Sequence, residues 1–326
     1  MKWTRRTLAA TALLLALFAI ACEREELPPN VPDTVAPLPP AGVVIESARD
    51  GYVFVGWLRN SEHDLAGYVL FRSREQDGPF NVLDTTARHY YIDPNCEYDS
   101  TYYYTITALD NSGNQSERSV VVSAVSRNLN DPDAPSVLTA TGGNDGSLKR
   151  IRLVWQPPLA YDVSVFRIFR SINPAVLGDA STLLDSSATT VYDDASPAVG
   201  VRYYYALRSV DRGGRVSDAS ESVSELVTEL PELLSPPDRA VLAEYPLFEW
   251  RSVPEAAEYE VTVSESPFGA PLWSSRVRTV VNSSASLRYG GPALYQGHAY
   301  YWRVSTCTRI GGAPNAASLM RLFQLI

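Results

Sequence analysis

Apolar and polar residues alternate in short runs along most of the chain, with turn-forming residues between the runs. Val53, Val55 and Trp57 alternate in one such run, and Val261 and Val263 in another. This period of two is typical of half-buried β-strands. Since no helical period follows the N-terminal segment, the pattern predicts an all-β protein. About seven short strands per ~95 residues would form sandwiches of two antiparallel sheets.

One constellation of aromatic residues occurs three times. A tryptophan closes a period-2 strand, and a tyrosine-rich strand follows 45 to 50 residues later. The tryptophans are Trp57, Trp155 and Trp250, and the matching tyrosines are Tyr102, Tyr203 and Tyr300. A repeat of this length predicts tandem modules. Their predicted ranges are 41-128, 131-228 and 231-326.

The N-terminus has the features of an export signal. Lys2, Arg5 and Arg6 precede an apolar run of 14 residues, Leu8–Ala21, which is shorter than the roughly 20 residues of a membrane-spanning helix. We therefore predict a signal peptide over 1–21 that is cleaved. The sequence Ala19-Ile20-Ala21-Cys22 resembles the lipobox of bacterial lipoproteins. The resemblance implies lipid attachment at Cys22. Because alanine-x-alanine also suits an ordinary signal peptidase, plain secretion is the open alternative.

A proline-rich tether is predicted over 22–40. Six prolines lie between Glu23 and Pro40, and such sequence favours extended polyproline II structure at about 3.1 Å per residue. Two short joints, at 128–133 and 228–232, separate the three modules. Short joints predict a semi-rigid row of modules rather than freely tumbling ones.

The charge balance restricts the partners. The chain has 28 basic and 37 acidic residues, and no basic cluster, which argues against nucleic acid. Removal of residues 1–21 takes away three cations and no acid, so 25 basic and 37 acidic residues remain, a charge of −12. We expect lipid chains rather than electrostatic attraction to hold such a chain at a membrane.

The first module combines Trp57 with two further motifs, SEHDLAGYVLFRS (Ser61–Ser73) and TYYYTITALDNSGNQS (Thr101–Ser116). In these features it resembles the fibronectin type III domains of bacterial extracytoplasmic proteins. The second repeats these features, and the third, with SPPDRAVLAEYPLFEW and HAYYWRV, departs most. The resemblance implies β-sandwiches in which the hydroxyls of Tyr102, Tyr203 and Tyr300 hydrogen-bond to nearby backbone.

Candidate chemistry is sparse. The histidines are His63, His89 and His298, and none stands in a catalytic motif, so we interpret them as solvated or structural. Four glycine pairs lack the strand-to-helix context of a phosphate-binding loop and are predicted to be turns: Gly142-Gly143, Gly213-Gly214, Gly290-Gly291 and Gly311-Gly312. Asp110–Asn114 superficially resembles a calcium loop but lacks the later glutamate, and is also predicted to be a turn. We expect no catalytic residue, metal or cofactor.

Two further sets of residues leave alternatives open. Cys96 and Cys307 are predicted to be unpaired thiols, with an intermolecular disulfide as the alternative. Strand alternation places three tyrosines on the face opposite the corner tyrosines, where they would bind sugars or partners, or pack across the sheet. They are Tyr103, Tyr204 and Tyr301.

These observations favour a non-catalytic lipoprotein of the cell envelope, outside the cytoplasm. We expect anchoring in the outer membrane, with the side of exposure undecided, and binding of a protein or polysaccharide partner. One alternative is a structural stalk with no soluble ligand. Another is an accessory or unrecognised carbohydrate-active protein.

Overall fold

A computed structural model describes residues 33–279 and 283–326. The described residues form 23 β-strands and two 3₁₀ turns, Pro174–Val176 and Ala180–Thr182, with no α-helix. The predicted all-β class is therefore confirmed. The predicted signal peptide and Cys22 lie outside the described residues. In the part of the chain that is described, no helix has the length and apolarity needed to cross a membrane.

The first group of strands forms a three-stranded and a four-stranded sheet. The order in the first is β1-β2-β5 and in the second β4-β3-β6-β7. The strands are β1 (Val44–Arg49), β2 (Tyr52–Gly56), β3 (Leu65–Ser73), β4 (Asn81–Thr86), β5 (Tyr90–Asp93), β6 (Thr101–Asp110) and β7 (Val122–Val125). Seven strands divided in this order give the fibronectin type III-like topology.

The second group repeats this division. Strands β12-β9-β8 line up on one side, and β11-β10-β13-β14 form the four-stranded sheet. The strands are β8 (Ser136–Asn144), β9 (Lys149–Gln156), β10 (Val163–Ser171), β11 (Leu183–Ser187), β12 (Val191–Asp194), β13 (Tyr203–Asp211) and β14 (Val223–Glu225). The two groups are therefore tandem repeats of one topology.

The third group is the most elaborate. Its three-stranded sheet is β15-β17-β20, while β19, β18, β21 and β22 continue the sheet of β8, β9 and β12, and β16 and β23 pair beside β21. The strands are β15 (Leu233–Ser235), β16 (Ala240–Leu242), β17 (Leu247–Arg251), β18 (Glu258–Ser264), β19 (Trp273–Arg278), β20 (Ser284–Arg288), β21 (Ala299–Cys307), β22 (Ala316–Ala317) and β23 (Arg321–Leu325). A nine-stranded sheet thus includes strands of the second and third groups.

We call β1–β7, β8–β14 and β15–β23 the first, second and third modules. The strands fall inside the three predicted ranges, whose end points stay predictions. By packing, the described residues form two compact units. Residues 33–44, 56–91 and 103–122 make one unit, and residues 45–55, 92–102, 123–279 and 283–326 make the other.

Alternation along the strands accounts for the cores. In β9, Ile151, Leu153 and Trp155 are buried and the residues between them are exposed, because successive side chains point to opposite faces. The third module has the most aromatic core, in which the Phe248 and Trp302 rings lie 4.7 Å apart. Fully burying one such side chain contributes about 1.5–3 kcal/mol.

The end of the predicted tether is packed against the first compact unit. The backbone N–H of Leu38 donates to the Glu62 carboxylate at 2.8 Å, and Asn60 donates to the Leu38 carbonyl at 2.8 Å. Asn114 donates to the Asp33 carbonyl at 3.0 Å. Residues 33–40 therefore do not form a free tether, because these polar side chains satisfy their backbone.

The prediction of a turn at Gly142-Gly143 is wrong. Both glycines lie in β8 and pair with β9, Gly142 opposite Ile151 and Gly143 opposite Arg150. The expectation that a glycine pair forms a turn failed here, because glycine also occurs within a strand where other atoms approach the backbone closely. The atoms that approach Gly142 come from elsewhere in the chain, as described below.

Candidate functional site

The three corner tyrosines make the same hydrogen bond. Each hydroxyl accepts from a backbone N–H five residues earlier in the chain. The donors are Glu97 for Tyr102 at 2.9 Å, Ala198 for Tyr203 at 3.4 Å and Tyr295 for Tyr300 at 2.8 Å. These bonds tie the start of each tyrosine strand to the preceding loop, so the three residues serve the fold.

The three signature tryptophans are core residues. Trp57, Trp155 and Trp250 are 4%, 3% and 0% exposed. Each ring meets an aromatic ring of the next strand edge-on, at centroid distances of 5.2, 5.4 and 5.3 Å. Edge-to-face packing of this kind stabilises a core beyond the burial of area alone. None of the three is placed to touch a ligand.

The tyrosines of the opposite face do not form one site. Tyr103, Tyr204 and Tyr301 are half-buried, and each belongs to a different sheet. Each lies opposite a serine of the neighbouring strand: Ser73, Ser171 and Ser264. Packing across the strands therefore accounts for them.

The histidines and thiols occupy separate positions. His63, His89 and His298 are all exposed. Cys96 and Cys307 are buried and are not disulfide partners. The Cys96 thiol donates to the Asp93 carbonyl at 3.6 Å, and burial raises the pKa of the Cys307 thiol. Burial of this kind makes a thiol unreactive.

The second and third modules meet at a buried polar network that we call the closed junction. Its centre is Asn315, which is 4% exposed. The Asn315 Oδ1 accepts from the Thr228 N–H at 2.8 Å and its Nδ2 donates to the Leu226 carbonyl at 2.7 Å. The hydroxyls of Thr228 and Thr306 are 2.6 Å apart. Each group is thus satisfied by its neighbours, as buried polar groups must be.

Main-chain pairing and an ion pair complete the closed junction. Strand β22 pairs with β8 at Ala316 and Asn144, which makes the sheet continuous between the two modules. The buried Glu225 accepts from the Arg309 guanidinium at 3.0 Å and from the Thr308 hydroxyl at 2.8 Å. Because water is excluded from this network, its polar groups have few other partners. The network therefore favours one orientation of the second module relative to the third.

Gly142 makes this contact possible. A Cβ at this position would collide with the Asn315 side chain and the Leu226 carbonyl. A Cβ at Gly143, a second glycine of β8, would meet only Arg150, at ordinary distances of 3.7 Å and more. The absence of a side chain at Gly142 is therefore a requirement of the junction.

A second polar contact, which we call the open junction, joins the β1–β2 hairpin to the segment that follows β7. The hairpin turn is Asp50-Gly51, and both residues have positive φ, of 47° and 77°, as the tight two-residue turn requires. The Asp50 Oδ1 accepts from the N–H groups of Leu129 and Asn130 at 2.8 and 3.0 Å, and its Oδ2 accepts from the Asn130 amide at 2.6 Å.

The open junction also links the loop between β5 and β6 to the second module. The Tyr98 hydroxyl donates to Asp162 at 2.7 Å, and the Arg212 guanidinium donates to the Cys96 carbonyl at 3.3 Å. A Cβ at Gly51 would collide with Arg212 and approach Asp162 to 2.8 Å. Glycine is therefore required here by close approach as well as by its φ.

Two carboxyl groups of the open junction titrate in opposite directions. Burial, together with the charges of Asp211 and Asp50, raises the pKa of Asp162 although Tyr98 donates to it. For Asp50, burial also opposes ionisation, but the N–H donors of Asn130 and Leu129 outweigh it and lower the pKa. Hydrogen bonding to the charged form therefore decides the difference.

A cleft of about 430 Å³ lies beside the open junction. Tyr52 and Phe54 of β2 line one side, and Leu159 and Tyr161 of the β9–β10 loop line the other. The rings of Tyr52 and Tyr161 are 5.2 Å apart and inclined by 56°. Leu159 is fully exposed and Tyr161 is 45% exposed. Such a volume lies in the range of small-ligand sites.

Polar groups surround these apolar side chains. Arg49 donates to the Tyr52 hydroxyl at 3.2 Å, and hydrogen bonds from Ser47 and Arg49 lower the pKa of Tyr52. Asp131 pairs with Arg215 at 3.0 Å, and Asp133 is exposed at the rim. The cleft thus combines aromatic walls with hydrogen-bonding groups. Sequence reasoning missed it, because its two sides are separated by about a hundred residues and neither carries a motif.

One set of carboxylates is close enough to share a cation. Single oxygens of Asp33, Asp64 and Asp110 lie within 4.8 Å of one another, and carboxylate oxygens are the ligands that Ca²⁺ takes. The Asp110–Asn114 segment is a turn, closed by an N–H donated from Asp110 to Asn114 at 3.1 Å. The Asp110 carboxylate already accepts from the N–H groups of Ser112 and Asn114, so this geometry alone assigns no metal.

Comparison with known proteins gives distant similarities. No protein-family model matches the chain. Exoglucanase B of Cellulomonas fimi is 29% identical over 206 residues, which is 61% of this chain and 18% of that protein. The chain thus spans less than a fifth of the relative's length.

Two solved structures are also similar. The FN1–FN3 domains of chicken CNTN1 share 15% identity at a TM-score of 0.34, covering 89% of this chain and 100% of that one. The fibronectin type III domain of a human fibronectin type III domain containing protein 3 shares 20% identity at a TM-score of 0.27, covering 30% of this chain and 92% of that one.

Proposed function

We propose that the chain is a non-catalytic lipoprotein of the cell envelope, anchored through Cys22, whose fibronectin type III-like modules bind a protein or glycan partner. The closed junction carries this proposal. A continuous sheet and a buried network around Asn315 hold two modules in one orientation. Fixed orientation is what a protein needs to present binding surfaces at a set place, because flexible links would add an ordering cost to each binding event.

The exoglucanase relative supports a non-catalytic role. The matched region is 206 residues and 18% of that protein, a length of about two modules, and the described residues of this chain form β-sandwiches. We assign the similarity to accessory modules and not to a catalytic domain. The same relative is the reason to retain the carbohydrate-active alternative, which we test directly.

The purified full chain tests the enzyme alternative. We expect no reducing sugar to be released from envelope polysaccharides or from a soluble glucan during prolonged incubation. A cellulase preparation serves as the positive control for the assay. Release of sugar that persists through repurification would overturn the non-catalytic assignment.

Fractionation of cells tests the anchor. We expect the wild-type chain in the membrane fraction and the Cys22→Ser variant in the soluble fraction, because removing the acylated thiol removes the lipid. The matched control is Cys96→Ser, which changes a buried thiol and leaves the chain at the membrane. Retention of Cys22→Ser at the membrane would contradict lipid anchoring.

Protease treatment of intact cells decides which side of the membrane the modules face. Digestion with an intact periplasmic marker would place them at the cell surface. Survival until the envelope is opened would place them in the periplasm. A structural stalk is the second candidate, since the closed junction would also serve spacing, and it is distinguished by the lack of any bound partner.

A further inference from the structure

The cleft beside the open junction has the composition of a binding site that neither the fold nor the anchor explains. Its walls are aromatic and aliphatic, yet they are not closed over: Leu159 is fully exposed and Tyr161 is 45% exposed. Tyr52 and Phe54 lie on the outer side of β2, whose inner residues Val53 and Val55 are buried. Strand alternation therefore directs these two rings away from the core and into the cleft.

We propose that this cleft binds a neutral polysaccharide, with one sugar ring packed against Tyr161. The proposal rests on the binding role proposed above and names its ligand class. A pyranose ring has C–H bonds on its faces and hydroxyls around its edge. Such a ring therefore fits against an aromatic wall that has polar groups at its rim. Tyrosine supplies both, because its ring is apolar and its hydroxyl forms hydrogen bonds.

The polar groups of the cleft are compatible with a neutral ligand. Asp50 already accepts three hydrogen bonds, and Asp162 accepts from Tyr98. Asp131 is paired with Arg215, and Arg49 is engaged with the Tyr52 hydroxyl. These hydrogen bonds occupy the polar atoms within the protein, and the cations Arg49 and Arg215 offset two of the four carboxylates, so that the ligand need not be ionic. A cationic peptide is the competing occupant, because carboxylates still outnumber cations in the cleft.

The size of the cleft agrees with a short stretch of polysaccharide. About 430 Å³ is available, within the roughly 300–1,000 Å³ of small-ligand sites. Asp133 at the rim is exposed and offers acceptor oxygens to sugar hydroxyls. A hydroxyl that donates to a carboxylate makes a charge-assisted hydrogen bond without changing the net charge of the site.

Affinity electrophoresis of the full chain tests the proposal, with a soluble glucan, a xylan and a galactomannan in separate gels. We expect at least one of them to retard the wild-type chain, and Tyr161→Ala to weaken that binding about tenfold, the equivalent of losing one ring contact. Tyr161→Phe keeps the ring and is expected to bind within about twofold of wild type. Far-UV circular dichroism checks that the variants are folded.

The matched control is Tyr245→Ala, because Tyr245 is a tyrosine of similar exposure, 42%, in the third module. It is expected to be retarded like the wild type. No retardation by any of the three polysaccharides would overturn the proposal, as would equal binding by Tyr161→Ala. Binding should be insensitive to salt between 0.05 and 0.5 M, roughly the range over which ionic contacts are screened.

A basic peptide separates failure of this inference from failure of the binding role. If oligo-arginine binds the wild-type chain with salt-sensitive affinity, loses affinity in Tyr161→Ala, and the polysaccharides do not bind, the cleft is a peptide site. The ligand class is then wrong and the binding role stands. If neither probe binds, this inference falls, and the stalk alternative gains support.

Discussion

The closed and open junctions use similar chemistry with opposite exposure. At the closed junction, Asn315, Thr228 and Thr306 are almost fully buried and the sheet runs through the contact. At the open junction, the Asp50 contacts are exposed to solvent and a cleft remains beside them. A polar network stiffens a contact when water is excluded, since unpaired alternatives then become costly. At the open junction water is not excluded, and the space beside the polar contacts is available to a ligand.

The largest expected effect comes from filling the space at Gly142. Gly142→Val places a branched side chain against Asn315 and the Leu226 carbonyl, which costs about 3 kcal/mol. By calorimetry, the transition of the second and third modules should fall by roughly 6–12 °C. Gly143→Ala is the control and should change it by less than about 2 °C, because its Cβ meets only ordinary contacts. Equal transitions for both variants would contradict the close packing.

A smaller effect is expected when two ion pairs are compared, one at the closed junction and one beside the open junction. In both, the guanidinium nitrogen lies 3.0 Å from the carboxylate oxygen. At the closed junction, Arg309→Ala removes a side chain that is 60% exposed but leaves Glu225, 5% exposed, without its cation, a loss of about 1.5 kcal/mol for a hydrogen bond to a charged group. Beside the open junction, Arg215→Ala removes a pair with Asp131 in which the two side chains are 43% and 63% exposed, a loss below about 0.5 kcal/mol. Urea unfolding measures both, and similar losses would show that burial does not distinguish the junctions.

The smallest effect concerns pH at the open junction. The pKa of Asp50 is lowered in the folded chain, so its contribution is present above the unfolded value of about 3.9 and is lost as the pH falls through the folded value. Asp50→Asn should therefore reduce the free energy of unfolding by about 1 kcal/mol at pH 7 and by less at pH 3. Urea titrations between these pH values measure the difference.

Asp162 is the internal control for that experiment. Its pKa is raised, so the folded state holds the proton more tightly and its contribution to stability falls as the pH rises through the unfolded and folded values. The difference between Asp162→Asn and wild type should thus have the opposite pH slope. Slopes of the same sign would show that the two carboxyl groups do not differ in this way.

Local sequence predicted much of the fold. Alternation identified the strands around Trp57, Trp155 and Trp250, and the repeat identified Tyr102, Tyr203 and Tyr300, because a strand with one buried face must alternate and its pattern survives in each module. Local sequence gave a wrong answer at Gly142-Gly143. A glycine pair has the same local preference whether it turns the chain or admits a neighbouring strand.

The candidate site was beyond local sequence for a related reason. Tyr52 and Tyr161 belong to different modules, and nothing near either residue indicates the other. Asn315 likewise satisfies Thr228 and Leu226 from far along the chain. Contacts of this kind depend on how two modules pack against each other. They leave no periodic pattern of apolar residues in the sequence.

The sequence by itself determined the all-β class, the threefold repeat and the buried tryptophan of each repeat, since these follow from the alternation of side chains along a strand and from burial of apolar area. Only the tertiary structure decided that β22 joins β8, that Gly142 must lack a side chain, and that Tyr52 and Tyr161 meet in the wall of one cleft. The reason is physical: strand pattern is a property of neighbouring residues, whereas a junction depends on the shape and the unsatisfied polar groups of two folded surfaces.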